Sequence, residues 1–168
     1  MLFRSVMAAD PEPLFPPGII DTDLATIERV CVLERPNNQS RAFLFSRLII
    51  YFQKLALLGV TLRVWVDGSF VTSKETPGDI DIFVWLNDEE IDKLPPDKTT
   101  LAWGLLHHSN RAVLRARYHI DMYCGSDADI GVRMNWRGIY GFVKETEHAK
   151  GIPQIVIGKQ EDESDNLA

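Results

Sequence analysis

At 168 residues, 45% hydrophobic and 25% charged, the chain carries enough apolar material for one domain that buries roughly two-thirds of its unfolded surface. That usage, with two cysteines in all, excludes a disordered, collagenous or disulfide-stapled protein. The net charge is −6, but Glu161, Asp162, Glu163 and Asp165 concentrate acid in the tail and leave the body nearly balanced. Nonspecific duplex-DNA binding, which needs a clear excess of Lys and Arg, is not expected.

Residues 1–20 read as an extended arm, because Pro11, Pro13, Pro16 and Pro17 each fix φ and remove a donor. Its apolar start is broken by Asp10 and lacks the core of a signal peptide, and no window approaches 18 apolar residues. The expected location is the cytoplasm, with no membrane partner and with Cys31 and Cys124 reduced and structural.

Residues 21–158 form the single expected domain. Asp21 or Thr22 is placed to cap a helix to about Leu33. Asn38 or Ser40 caps a longer one through Leu58, ended by Gly59, with Phe43, Leu44, Arg47, Leu48, Tyr51, Leu55 and Leu58 as its core stripe. Leu62, Val64 and Val66 alternate as in a strand, followed by an Asp67-Gly68-Ser69 turn. Ile80 to Leu86 and Arg117 to Cys124 give two further strands. Thr99 or Thr100 opens a helix to about Arg115 in which His107 and His108 are structural. Arg133 to Lys144 is weakly helical, Ile152 to Ile157 is a late strand, and 159–168 is a disordered acidic tail. Trp65, Trp85, Trp103 and Trp136 all fall in apolar patterns that assign them to the core, with stacking on a nucleobase as the alternative for one of them.

The informative segment runs from Asp67 to Ile82. A strand ends in Gly68-Ser69, and an Asp79-x-Asp81 pair opens the next strand. Strand alternation turns both carboxylates to the face opposite Ile80, Ile82 and Val84, and places Asp121 and His119 together on the outer face of the third strand. Clustered carboxylates repel unless a cation neutralises them, which suggests a divalent metal, and a Gly-Ser turn offers backbone N–H groups to a phosphate.

Gly68, Ser69, Asp79, Asp81 and Asp121 in this order resemble the signature of the nucleotidyltransferase superfamily of the DNA polymerase beta type. Phe15 to Ile19 and Asp67 to Lys74 are similar to a small group of bacterial nucleotidyltransferase-like proteins. The resemblance implies an α+β domain of minimal nucleotidyltransferase fold, a mixed β-sheet with helices packed mainly on one face. It implies a two-metal transfer of a nucleoside monophosphate from an NTP to a hydroxyl of a protein or RNA. Asp79, Asp81 and Asp121 would be catalytic and would hold Mg²⁺ or Mn²⁺, while Gly68 and Ser69 would bind the triphosphate. Lys74 is added from its place in the connecting loop.

The near-neutral body favours a protein acceptor, and so small a core suits a toxin–antitoxin or phage-defence system with a cognate protein partner. Asp67 departs from the apolar residue usual before the glycine, and Val71-Thr72-Ser73 departs from the small antitoxin-type members. Arg111, Arg115 and Arg117 form either a solvated stripe or a contact to acceptor or triphosphate. A catalytically silent, antitoxin-like binding module and a phosphodiester hydrolase are the alternatives.

Overall fold

A computed structural model describes residues 11–158. The N-terminal part of the arm and the acidic tail, 159–168, lie outside the described residues. Five strands form one mixed sheet: β1 (Gly18–Asp21), β2 (Leu62–Asp67), β3 (Ile80–Leu86), β4 (Ile120–Ser126) and β5 (Gly151–Ile157), in the order β1-β5-β2-β3-β4. β2 is antiparallel to β3 and β5, whereas β3–β4 and β1–β5 are parallel.

Alternation divides the side chains between two cores. Leu62, Val64 and Val66 of β2, Ile80, Ile82 and Val84 of β3, and Ile120 and Met122 of β4 face the main helical layer and are almost fully buried. That layer holds α1 (Leu24–Glu28), α2 (Gln39–Ala56), α4 (Pro96–Leu106) and α5 (Arg111–Tyr118), with the short α3 (Asp88–Asp92) between β3 and α4. The opposite face carries Trp65, Phe83 and Trp85, covered by Trp136 and Tyr140 of α6 (Ile130–Tyr140). Helices therefore lie mainly on one face, as expected of this α+β chain. None among the described residues is long and apolar enough to cross a membrane.

Several expected boundaries move for local reasons. The arm contributes β1, whose Ile19 and Ile20 pair with Ile152 and Pro153. Asp23, not Asp21 or Thr22, caps α1 by accepting from the Thr26 N–H at 2.7 Å, and the helix continues as a π turn through Leu33. The buried stripe of α2 is Arg41, Leu44, Phe45, Leu48, Tyr51, Phe52 and Leu55, so Phe43 faces outward instead.

The helix expected from Thr99 to Arg115 starts at Pro96, where the missing N–H of a first-turn proline costs nothing, and it breaks at His107. α5 then runs to Tyr118 and ends at His119 in the left-handed region, φ 55°, so β4 begins at Ile120 and not at Arg117. The last helix starts at Ile130 because Asp129 caps it, and it stops at Tyr140, short of Lys144.

Trp103 is not a core residue. It is 56% exposed, while Trp65 and Trp85 are buried and Trp136 is half-buried on the second face. Both cysteines are free, and burial pushes the Cys31 thiol up to about 12.

Candidate active site

The sheet registers put three carboxylates side by side: Asp67 lies opposite Asp81, and Asp81 opposite Asp121. All three follow the outward alternation of Trp65, Phe83 and Tyr123, so they sit at the edge of the aromatic second core. Asp79 stands two residues before Asp81, just ahead of β3. A cleft of about 780 Å³ lies over this row, lined by Gly68, Ser69, Lys74, Asp79, Asp81 and Asp121. Every site residue expected from the sequence thus borders one hollow. Trp136, Tyr140, Phe142 and Val143 make its apolar wall, and Lys144 and Lys150 add cations.

Two residues that sequence reasoning left out or left open complete the floor. Asp67 is buried, and Lys150, itself only 5% exposed, places Nζ 2.8 Å from its Oδ1. Burial pushes the Asp67 carboxyl up to about 7 against the opposing pull of Lys150. Asp81 is pushed up to about 6, first by burial and then by the negative charges of Asp79 and Asp121. The Tyr140 hydroxyl is buried without a hydrogen-bond partner, although the ring lines the cleft.

Arginines of α5 meet the outer carboxylates. Arg115 donates from Nε and Nη2 to Asp79 Oδ2 at 3.1 and 2.5 Å, with Nη2 3.9 Å from Asp121 Oδ2. Arg111 donates from Nε and Nη2 to Asp121 Oδ1 at 3.2 and 2.6 Å, and its guanidinium lies 3.8 Å from the Tyr123 ring centroid. Among the described residues, no three acidic, histidine or cysteine side chains are drawn together at the spacing of one metal ion's ligands. His119 does not join Asp121: its left-handed backbone turns the ring edge-on to Phe43 of α2, with centroids 5.1 Å apart.

The Gly68-Ser69 turn is held from behind. The turn is a short 3₁₀ segment, Gly68–Val71, and the buried Arg41 guanidinium donates to the carbonyls of Phe70, Thr72 and Lys74 at 2.7, 2.6 and 2.5 Å. A fourth bond, to Cys31 at 3.0 Å, ties the loop to the helical layer. The signal for Arg41 was a basic residue at core spacing with Leu44, Phe45 and Leu48 on α2.

The glycine itself is required. Gly68 has φ 78°, and a Cβ there would sit 1.9 Å from Asp81 Oδ2. Gly68→Ala is expected to lower Tm by roughly 4 °C or more, since left-handed strain and a displaced Asp81 add. An unchanged melting temperature would show that the turn does not constrain Asp81.

A family model matches residues 7–156, nearly the whole described chain, under the description "Family of unknown function (DUF6932)". The chain belongs to the DUF6932 family. No curated protein and no solved structure matches it. In this DUF6932 chain the matched span takes in every residue of the cleft floor, from Asp67 to Lys150.

Proposed function

We propose that the chain is a nucleotidyltransferase that moves a nucleoside monophosphate from an NTP to a hydroxyl of a protein or RNA. The observation that carries this reading is the juxtaposition of Asp79, Asp81 and Asp121 with the Gly68-Ser69 turn in one cleft. In the transfer, the acceptor oxygen bonds to the α-phosphorus and the bond from that phosphorus to the β-bridging oxygen breaks. Pyrophosphate leaves with the electron pair, and the hydroxyl proton passes by way of the Asp121 carboxylate to solvent. The Gly68 and Ser69 turn would hold the triphosphate, with Lys74 at the mouth of the cleft as a counter-charge.

The donor set suits a hard divalent cation. It consists of carboxylate oxygens, and Asp81 is raised first by burial and then by the charges of Asp79 and Asp121. The Tyr140 hydroxyl beside it lacks a partner, as a group waiting for a bound ligand would. Asp79, Asp81 and Asp121 would hold Mg²⁺ or Mn²⁺, which supplies charge neutralisation for the triphosphate and the leaving group.

One observation favours the second reading, a catalytically silent, antitoxin-like binding module. Arg115 and Arg111 already satisfy Asp79 and Asp121 within the chain.

Calorimetric titration of the four NTPs with Mg²⁺ or Mn²⁺, followed by labelled-NTP transfer in lysate, decides between them. Metal-dependent binding lost in Asp79→Ala/Asp81→Ala, with label on one macromolecule, is the expected result. A well-folded chain that binds no NTP would leave the silent module standing. A toxin–antitoxin or phage-defence setting belongs to this proposal, and a co-purifying cognate protein is its corresponding expectation.

A further inference from the structure

Beyond the Arg111 and Arg115 side chains the acidic row opens on a second hollow. It is lined by His108, Ser109, Arg111, Arg115 and Asp121, so Asp121 and Arg115 border both cavities. A ladder of three rings leads to it across the break between α4 and α5. Trp103 stacks on His107 with centroids 5.2 Å apart and planes 22° from parallel, and His107 lies 4.4 Å from His108. Two short-range hydrogen bonds hold the ladder: Asn110 Nδ2 donates to the Trp103 carbonyl at 2.9 Å, and His107 Nδ1 lies 2.7 Å from Ser109 Oγ.

Trp103 nevertheless leaves more than half its surface in solvent, and 58% of the Arg115 side chain is open. An exposed stacked ladder that ends at two guanidiniums and a carboxylate has a specific complementarity. A flat base stacks on the exposed Trp103 ring that His107 backs, a phosphodiester meets the arginines, and a terminal hydroxyl reaches the carboxylate.

We infer that this surface seats the 3′ end of a single-stranded polynucleotide, in the first instance RNA, as the acceptor of the proposed transfer. The inference rests on the nucleotidyltransferase reading for what happens at the hydroxyl, but not for the binding itself. The terminal nucleotide lies in the hollow with its hydroxyl at Asp121, its phosphate contacts Arg111 and Arg115, and a preceding base lies on the open surface of Trp103 at the far end of the ladder. A chain of net charge −6 holds such a strand through stacking more than through counterion release. Two phosphate-contacting arginines predict a slope of log K against log salt of only about −1.4 for a single strand.

The test is fluorescence anisotropy of labelled single-stranded RNA decamers with the full chain, in parallel with NTP transfer to the same oligonucleotides. DNA decamers form a second arm, and RNA with a blocked 3′ end a third. Expected are RNA binding with the shallow salt slope, a roughly tenfold loss of affinity in Trp103→Ala, and label only on the free 3′ end. An unchanged melting temperature for Trp103→Ala shows that the loss is not unfolding. Equal binding by Trp103→Ala, a salt slope several times steeper, or no RNA binding would overturn the inference. Label arriving only on a protein would overturn it while leaving nucleotidyl transfer in place. Binding that tracks Trp103 with no transfer to any acceptor would uphold the surface and sink the catalytic reading. Tighter binding of the DNA arm would keep the stacked strand and reject RNA as its source.

Discussion

Lys150→Met is expected to destabilise the chain by about 1–2 kcal/mol at pH 8, because the buried Asp67 carboxyl loses its counter-charge and must keep its proton. The loss is pH-dependent, and its sign follows from the Asp67 carboxyl. Burial raises that group from 3.8 to about 7 even with Lys150 in place, and removing the ammonium raises it further. Below about pH 7 the parent and the variant both keep the Asp67 proton, so the deficit opens above that value and is absent at pH 5.

Asp67→Asn alone costs less than Lys150→Met. The stranded ammonium still has the Asp81 charge, which is coupled to it across the floor of the cleft. Asp67→Asn combined with Lys150→Met removes both charges and recovers most of the loss. Urea melts at pH 5 and pH 8 give the ranking. A deficit that is the same at both pH values would mean that Lys150 contributes packing and not charge.

The strands were legible because period-two alternation is a local property. Leu62, Val64 and Val66, then Ile80, Ile82 and Val84, give away both the elements and the face that carries Asp81. β1 was hidden by its four-residue length and by the prolines before it, and only its pairing with Ile152 and Pro153 makes it a strand.

The break at His107 is accompanied by local capping, with Asn110 bonding back to the Trp103 carbonyl and the Ser109 N–H donating to His107 Nδ1, and no propensity around Leu106 announces it. For the site, Asp79, Asp81, Asp121, Gly68 and Ser69 could be placed in order, since each follows from a turn or a strand face. Asp67 read as an anomaly because its partner Lys150 is remote in sequence, and only the sheet brings the two together. Arg41 is similar: four carbonyls from two distant segments surround it, and none is visible from α2 alone.

Asp81→Asn is expected to make the chain more stable and, under the proposed function, to lower nucleotidyl transfer at least 10³-fold. Burial and the charges of Asp79 and Asp121 lift this carboxyl from 3.8 to about 6. The folded chain therefore keeps the proton over a range in which the unfolded chain has lost it. Stability falls as pH rises from about 4 to about 6, and the cost is complete above that window. After allowance for partial exposure it comes to about 1–2 kcal/mol, or roughly 2–8 °C in Tm.

Asparagine keeps the shape and removes the charge. In metal-free buffer the variant should melt above the parent chain at pH 8 and together with it at pH 4. A variant that melts lower at both pH values would mean that the Asp81 carboxylate is held by favourable contacts and is not the strained member of the row. A substitution that stabilises the fold and abolishes transfer separates the two demands on this position. The fold gains from losing the charge opposite Asp67 and Asp121, and under the proposed nucleotidyl transfer a bound divalent cation would offset that cost.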